Sequence, residues 1–152
     1  MRESGGLITH SDLKNYRVVE RNPVCGSYHD KRVCAMPPPS SGGVHLIQML
    51  NMLENFELQQ LGHNSAAYIH ALVEVMRRAY ADRSAYLGDP DYYDVPVERI
   101  IDKEYAKELV SKISLTKSSD SSNVLPGLGI DIESLSKKRQ YRESEAVSYT
   151  HI

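Results

Sequence analysis

Hydrophobic positions along this chain change their period near residue 40. Before that point the apolar runs are short and strand-like: Val24-Cys25-Gly26-Ser27-Tyr28 and Arg32-Val33-Cys34-Ala35-Met36, joined by His29-Asp30-Lys31. With the extended preference of Val18-Val19 they predict a β-hairpin over about 18–36. Pro37-Pro38-Pro39 then removes three backbone donors, so no sheet continues through it. Ser40 and Ser41 are expected to cap a helix, and Gly42-Gly43 allows a close backbone approach. Beyond them the period is helical. Leu46, Leu50 and Leu53 form an i, i+4, i+7 row with Met49 and Phe56 beside it, predicting a helix over about 41–61 closed by Gly62. Asn64 or Ser65 caps a second helix, about 65–87, with Ile69, Leu72, Val73, Met76 and Tyr80 expected inward. Pro96 opens a third, about 96–113, on Val97, Ile101, Tyr105 and Leu109. Upstream, Leu7-Ile8 reads as a strand tail, and the caps around Thr9 to Asp12 predict one brief helix ending near Tyr16.

After Ile113 the periodicity collapses, and 114–152 reads as linker followed by a charged, disordered tail. There are no internal repeats. The elements predict an α+β architecture of about three main helices plus a short hairpin.

With 152 residues and 41% hydrophobic content the chain suits one domain with a moderate core. A formal charge of -2 without a basic stripe gives no electrostatic case for nucleic acid or an anionic membrane. No apolar run reaches the roughly 18 to 20 residues of a membrane span, and Met1 to Gly6 lacks a signal-peptide core, so a soluble chain is expected. No Trp and one Phe against 10 Tyr place many rings at an interface or surface, where a hydroxyl finds a partner. Cys25 and Cys34 are too far apart for a Cys-x-x-Cys pattern, and no metal site is expected. They flank the hairpin, so a cross-strand disulfide is open to them; two buried free thiols are the commoner alternative.

Few residues read as chemistry. Ser40-Ser41-Gly42-Gly43 lacks the Gly-x-Ser-x-Gly of a nucleophile elbow and the lysine of a phosphate loop. His45, on a first helical turn, reads as a capped polar side chain in preference to a base. Glu74, Arg78 and Asp82 are spaced i, i+4 and read as a ladder of ion pairs, with Arg77 and Arg83 nearby; an arginine gripping a carboxylate is the alternative. Asp89, Asp91 and Asp94 lack calcium-loop spacing and read as turn and cap residues.

One resemblance adds to this. Gly6-Leu7-Ile8-Thr9, Asp12-Leu13, Tyr16, Glu20-Arg21-Asn22-Pro23, Met36 to Gly43, Leu53-Glu54-Asn55-Phe56 and Ala79 to Asp91 follow one another as in the γ-glutamyltranspeptidase (glutathione hydrolase) family. The chain resembles the C-terminal part of that family's large subunit, over about residues 5–113. The resemblance implies a helix-dominated piece of the αββα N-terminal-nucleophile hydrolase fold, within a precursor that cleaves itself into large and small subunits. It implies a threonine nucleophile that carries the γ-glutamyl group as an acyl-enzyme to water or an amino acid. No cofactor or metal is implied, the partner is the small subunit of the same precursor, and the parent's substrate is of the glutathione type. A periplasmic or secreted parent is also implied. Tyr141-Arg142-Glu143-Ser144-Glu145 matches the approach to the autoprocessing point, but the family's Thr-Thr-His is only echoed, displaced, at Thr150-His151. No catalytic residue is therefore carried over beyond that echo at Thr150, no substrate-binding residue is assigned, and the piece alone is expected to be inactive. A related acylase acting on β-lactam side chains, or a stand-alone helical interaction module, are the alternatives.

Overall fold

The structure, a computed structural model, describes residues 5–131 and 134. A capped first helix, α1 (His10–Asn15), precedes a two-stranded antiparallel sheet of β1 (Val24–Tyr28) and β2 (Lys31–Ala35). Then follow α2 (Gly42–Leu53), the short α3 (Leu58–Leu61), the long α4 (Ala66–Tyr86), α5 (Val97–Ile100) and α6 (Lys103–Val110), and a 3-10 turn at Ser121–Asn123. The hairpin begins at Val24, later than its expected start; Val18 and Val19 are exposed. Leu7 and Ile8 are likewise exposed and belong to no strand.

Helix α2 is the hub, packing on the sheet, on α4 and on α6. Its first turn lies directly on the end of β2: a Cβ at Gly43 would stand 2.1 Å from the Met36 carbonyl oxygen, so only glycine fits. Val44, Met52, Val75, Ala79, Tyr86, Ile100, Tyr105, Ala106, Leu109 and Leu128 form the core. Fully burying a side chain such as Met52 contributes about 2 kcal/mol.

The expected helix over 41–61 is two helices. Asn55 Nδ2 donates to the carbonyls of Asn51 (2.8 Å) and Met52 (3.2 Å), taking acceptors that the next turn would need. The expected helix over 96–113 also divides, because Asp102 accepts from the Tyr105 amide at 2.9 Å and so caps a new helix. Gly62, at φ 80°, ends α3, and the Ser65 hydroxyl caps α4 by accepting from the Tyr68 amide at 3.1 Å.

The largest departure concerns α4. Ile69, Val73, Met76 and Tyr80, expected inward, are 48%, 39%, 37% and 52% exposed. The inward face is Ala71, Glu74, Val75, Arg78, Ala79, Asp82 and Tyr86. Three charged side chains thus sit inside and an apolar stripe outside. Nor is 114–131 a loose linker: Leu128 is buried in the core and Ser119 and Gly127 are tied to α4. The remainder of the expected tail lies outside the described residues.

Candidate functional site

Carboxylates buried inside a helical layer persist only when their oxygens are bonded, and here the bonds come from distant parts of the chain. Glu74 is 1% exposed. Its Oε1 accepts from the Ser119 amide at 2.9 Å, while Oε2 accepts from the Ser119 hydroxyl and from Arg78 Nη1 at 2.9 Å. Burial alone would raise this carboxyl, but the Ser119 and Arg78 bonds outweigh it, and the net shift is downward. The Arg78 guanidinium also donates to the carbonyls of Leu109 (3.1 Å) and Lys112 (2.6 Å), placing a cation on the C-terminal end of α6, where the helix dipole favours it. Arg77 Nη1 donates to the Ser119 carbonyl from the same side.

Two turns along α4, Asp82 is also 1% exposed. Oδ2 accepts from Gln48 Nε2 (2.6 Å) and from the Tyr105 hydroxyl (2.7 Å), and Oδ1 accepts from the Gly127 amide (2.8 Å). One carboxylate therefore joins α2, α6 and the returning segment to α4. Glycine at 127 leaves room for this bond, since a Cβ there would fall 2.5 Å from the Tyr105 hydroxyl oxygen and displace it. Burial first, then its bond to Asp82, pushes the Tyr105 phenol well above its ordinary range, so it donates at every accessible pH. The acceptor oxygens Gln48 Oε1 and Asn51 Oδ1, buried on α2, have no partner among the described residues.

Sequence reasoning took Glu74, Arg78 and Asp82 as one ladder. The structure divides them: Glu74 and Arg78 pair, whereas Asp82 bonds neutral donors and Arg83 points away. Nor does the hydroxyl of Ser41 cap α2; it accepts from Arg83 Nε at 3.1 Å, and Ser40 Oγ takes only the Gly42 amide, at 3.3 Å. His45 is no cap. It is buried, its Nε2 donates to the Ala79 carbonyl at 2.6 Å, and its ring meets Tyr80 edge-on. Burial holds the ring neutral, pushing its pKa below the ordinary value. Asp91 pairs with Arg21 at 2.7 Å, and Asp89 accepts from the Asp91 amide at 3.0 Å. Among the described residues no group of three or more His, Cys, Asp or Glu side chains forms a metal site.

Of two further features, sequence reasoning left one open as its less favoured alternative and missed the other. Cys25 and Cys34 form a disulfide, not the favoured pair of free thiols, because the register sets them opposite each other. A cleft of about 500 Å³ lies between the hairpin and the 90–101 segment, lined by Arg21, Val24, Pro38, Val95, Glu98 and Ile101 among others. The signal for Ser119 and Gly127 was a pair of buried carboxylates needing donors, which a one-dimensional pattern does not display. Thr150 and His151 lie outside the described residues.

What this arrangement does is hold backbone. Among the described residues no serine, threonine or cysteine side chain hydrogen-bonds a histidine ring, and the buried ionised groups each serve a carbonyl, an amide or one another.

The family model described as Gamma-glutamyltranspeptidase matches residues 1–152. The glutathione hydrolase proenzyme of Escherichia coli (strain K12) is 47% identical over 127 residues, which is 84% of this chain and 22% of that protein. The chain thus spans about a fifth of that relative's length. Among solved structures, the Helicobacter pylori gamma-glutamyltranspeptidase superposes with a TM-score of 0.79 at 49% identity, covering 82% of this chain and 36% of that one. A cephalosporin acylase from Bacillus halodurans superposes with a TM-score of 0.67 at 29% identity, over 74% of this chain and 20% of that one.

Proposed function

From the premise that this chain belongs to the γ-glutamyltranspeptidase family, we propose that it is the large-subunit scaffold leading to the self-cleavage point of a glutathione hydrolase proenzyme. The observation that carries this reading is the inverted helix α4. Its charged inner face grips the segment through Ser119 and Gly127, and that segment runs on toward Thr150-His151. Its apolar outer face, together with exposed Val18, Val19, Leu7 and Ile8, is surface suited to cover by the remainder of a larger αββα assembly, the small subunit included. In the whole enzyme a threonine would take the γ-glutamyl group of a glutathione-type substrate as an acyl-enzyme and pass it to water or an amine. The Cys25–Cys34 disulfide supports an oxidising compartment outside the cytosol. Of the two activities among the relatives, glutathione hydrolysis is favoured by the longer span of the match, 47% identity over 84% of the chain against 47% over 71% for an Acylase ACY 1 proenzyme.

The test is a transplant: the matched 127 residues replace their counterpart in the Escherichia coli proenzyme. The chimera is expected to cleave itself into two chains and to release amine from a γ-glutamyl anilide, and the 152-residue chain alone to release none. A folded chimera that stays uncleaved, or turnover by the isolated chain, would refute the assignment.

A further inference from the structure

Cys25 and Cys34 stand opposite each other in the hairpin with Cα atoms 4.1 Å apart. A Cβ at Gly26 would strike the Ile47 side chain of α2, so Gly26 and its partner Val33 face that helix. The disulfide, one residue along each strand, faces the other way. Its two sulfurs have different surroundings. Cys34 is exposed, whereas Cys25 is half-buried and lines the cleft. Arg32 Nη2 lies 3.6 Å from Cys25 Sγ. Among the described residues no carboxylate forms an ion pair with Arg32: the neighbouring Asp30 is taken by Lys31, and Glu54 by Lys103. A free guanidinium therefore sits beside one sulfur of an accessible disulfide.

We propose that this pair is a thiol-exchange site, at which a low-molecular-weight thiol becomes attached to Cys34. The incoming thiolate attacks Cys34 Sγ from solvent and forms a new S–S bond. The Cys25–Cys34 bond breaks, and its electron pair leaves with Cys25 as a thiolate facing Arg32. One thiolate and one protein disulfide give one mixed disulfide and one protein thiolate, so no external oxidant or reductant takes part. Exchange is faster when the departing thiol has the lower pKa, and an adjacent cation lowers it. Attack at Cys25 is disfavoured, because that sulfur is half-buried and its departing partner would lack the Arg32 contact. The Cys25 thiolate can expel the attached thiol again, so the modification is reversible.

The test uses the 152-residue chain and limiting 2-mercaptoethanol, which carries no γ-glutamyl group and so keeps the outcome independent of the enzyme assignment. After an acid quench and alkylation, peptide mapping is expected to find the mercaptoethanol on Cys34 and the alkyl group on Cys25. Arg32→Gln should slow exchange about threefold, because it removes the cation that stabilises the departing Cys25 thiolate. Arg32→Lys should restore both rate and site preference. The proposal is overturned if the adduct forms mainly on Cys25, or if R32Q changes neither rate nor site. A disulfide that stays closed under conditions that open a short reference peptide disulfide also overturns it.

Discussion

Replacing Asp82 by alanine and by asparagine should give very different losses of stability. The carboxylate accepts three hydrogen bonds, from Gln48, Tyr105 and Gly127, at 2.6, 2.7 and 2.8 Å. Alanine leaves all three donors buried or half-buried without an acceptor, at about 1–2 kcal/mol each. Removing a buried charge returns part of that, so the expected net loss for Asp82→Ala is about 3–4 kcal/mol. Asparagine keeps one acceptor oxygen for Gly127 and turns the other position into a donor. Gln48 can meet that donor by rotating its amide, because its Oε1 has no partner to give up. The Tyr105 hydroxyl can turn to accept as well. Asp82→Asn should therefore cost only about 1 kcal/mol. Urea unfolding followed by far-ultraviolet circular dichroism measures both. Equal losses for the two variants, or a loss below about 1 kcal/mol for alanine, would refute the reading of Asp82 as the acceptor that joins three elements.

Other perturbations have equally definite outcomes. Gly43→Ala places a methyl group against the Met36 carbonyl, a backbone neighbour that cannot swing aside, and should lower stability by about 3 kcal/mol or prevent folding, as read by the same unfolding curves. Acid should act in two stages. The His45 pKa is depressed in the fold, so below its ordinary 6.5 the unfolded chain binds a proton that the fold refuses, and stability falls until the folded pKa is passed. The Glu74 pKa is also depressed, so its contribution is complete above 4.5 and is lost as pH falls through the lower folded value. Unfolding midpoints against pH should show both stages, the first absent in His45→Gln and the second reduced but not abolished in Glu74→Gln, because the Asp12, Asp30, Glu54 and Asp120 carboxyls are depressed as well. Finally, Ile69→Ser with Val73→Ser should change stability by no more than about 1 kcal/mol, since both side chains are already exposed, yet reduce self-association in sedimentation velocity.

The strand-to-helix junction was legible because proline and glycine act locally: Pro37 to Pro39 end a sheet wherever they stand, and Gly43 fits a close approach. The caps at Ser65 and Gly62 were legible for the same reason. Helix α4 misled because hydropathy was taken as the guide to its inner face. Its charged side chains are buried by Ser119, Gly127, Gln48 and Tyr105, none of them a neighbour in sequence. Two of these donors, Ser119 and Gly127, belong to the stretch that composition marked as linker, so the two misreadings are connected. Asn55 and Asp102 broke two expected helices through side-chain bonds to backbone, an effect that apolar spacing does not register. The family, in contrast, was carried by runs of identical residues in order, which need no tertiary knowledge to recognise.

The inversion of α4 also has a thermal side. Its inner contacts add directional bonds to charged groups to the apolar packing of Val75, Ala79 and Tyr86, whereas anything seated on Ile69, Val73, Met76 and Tyr80 would be held by the release of ordered water alone, a force that fades on cooling. The two faces of a single helix therefore respond to cold to different degrees: an assembly built on the outer stripe would weaken on cooling before the inner clamp did, and rewarming would tighten it again without refolding.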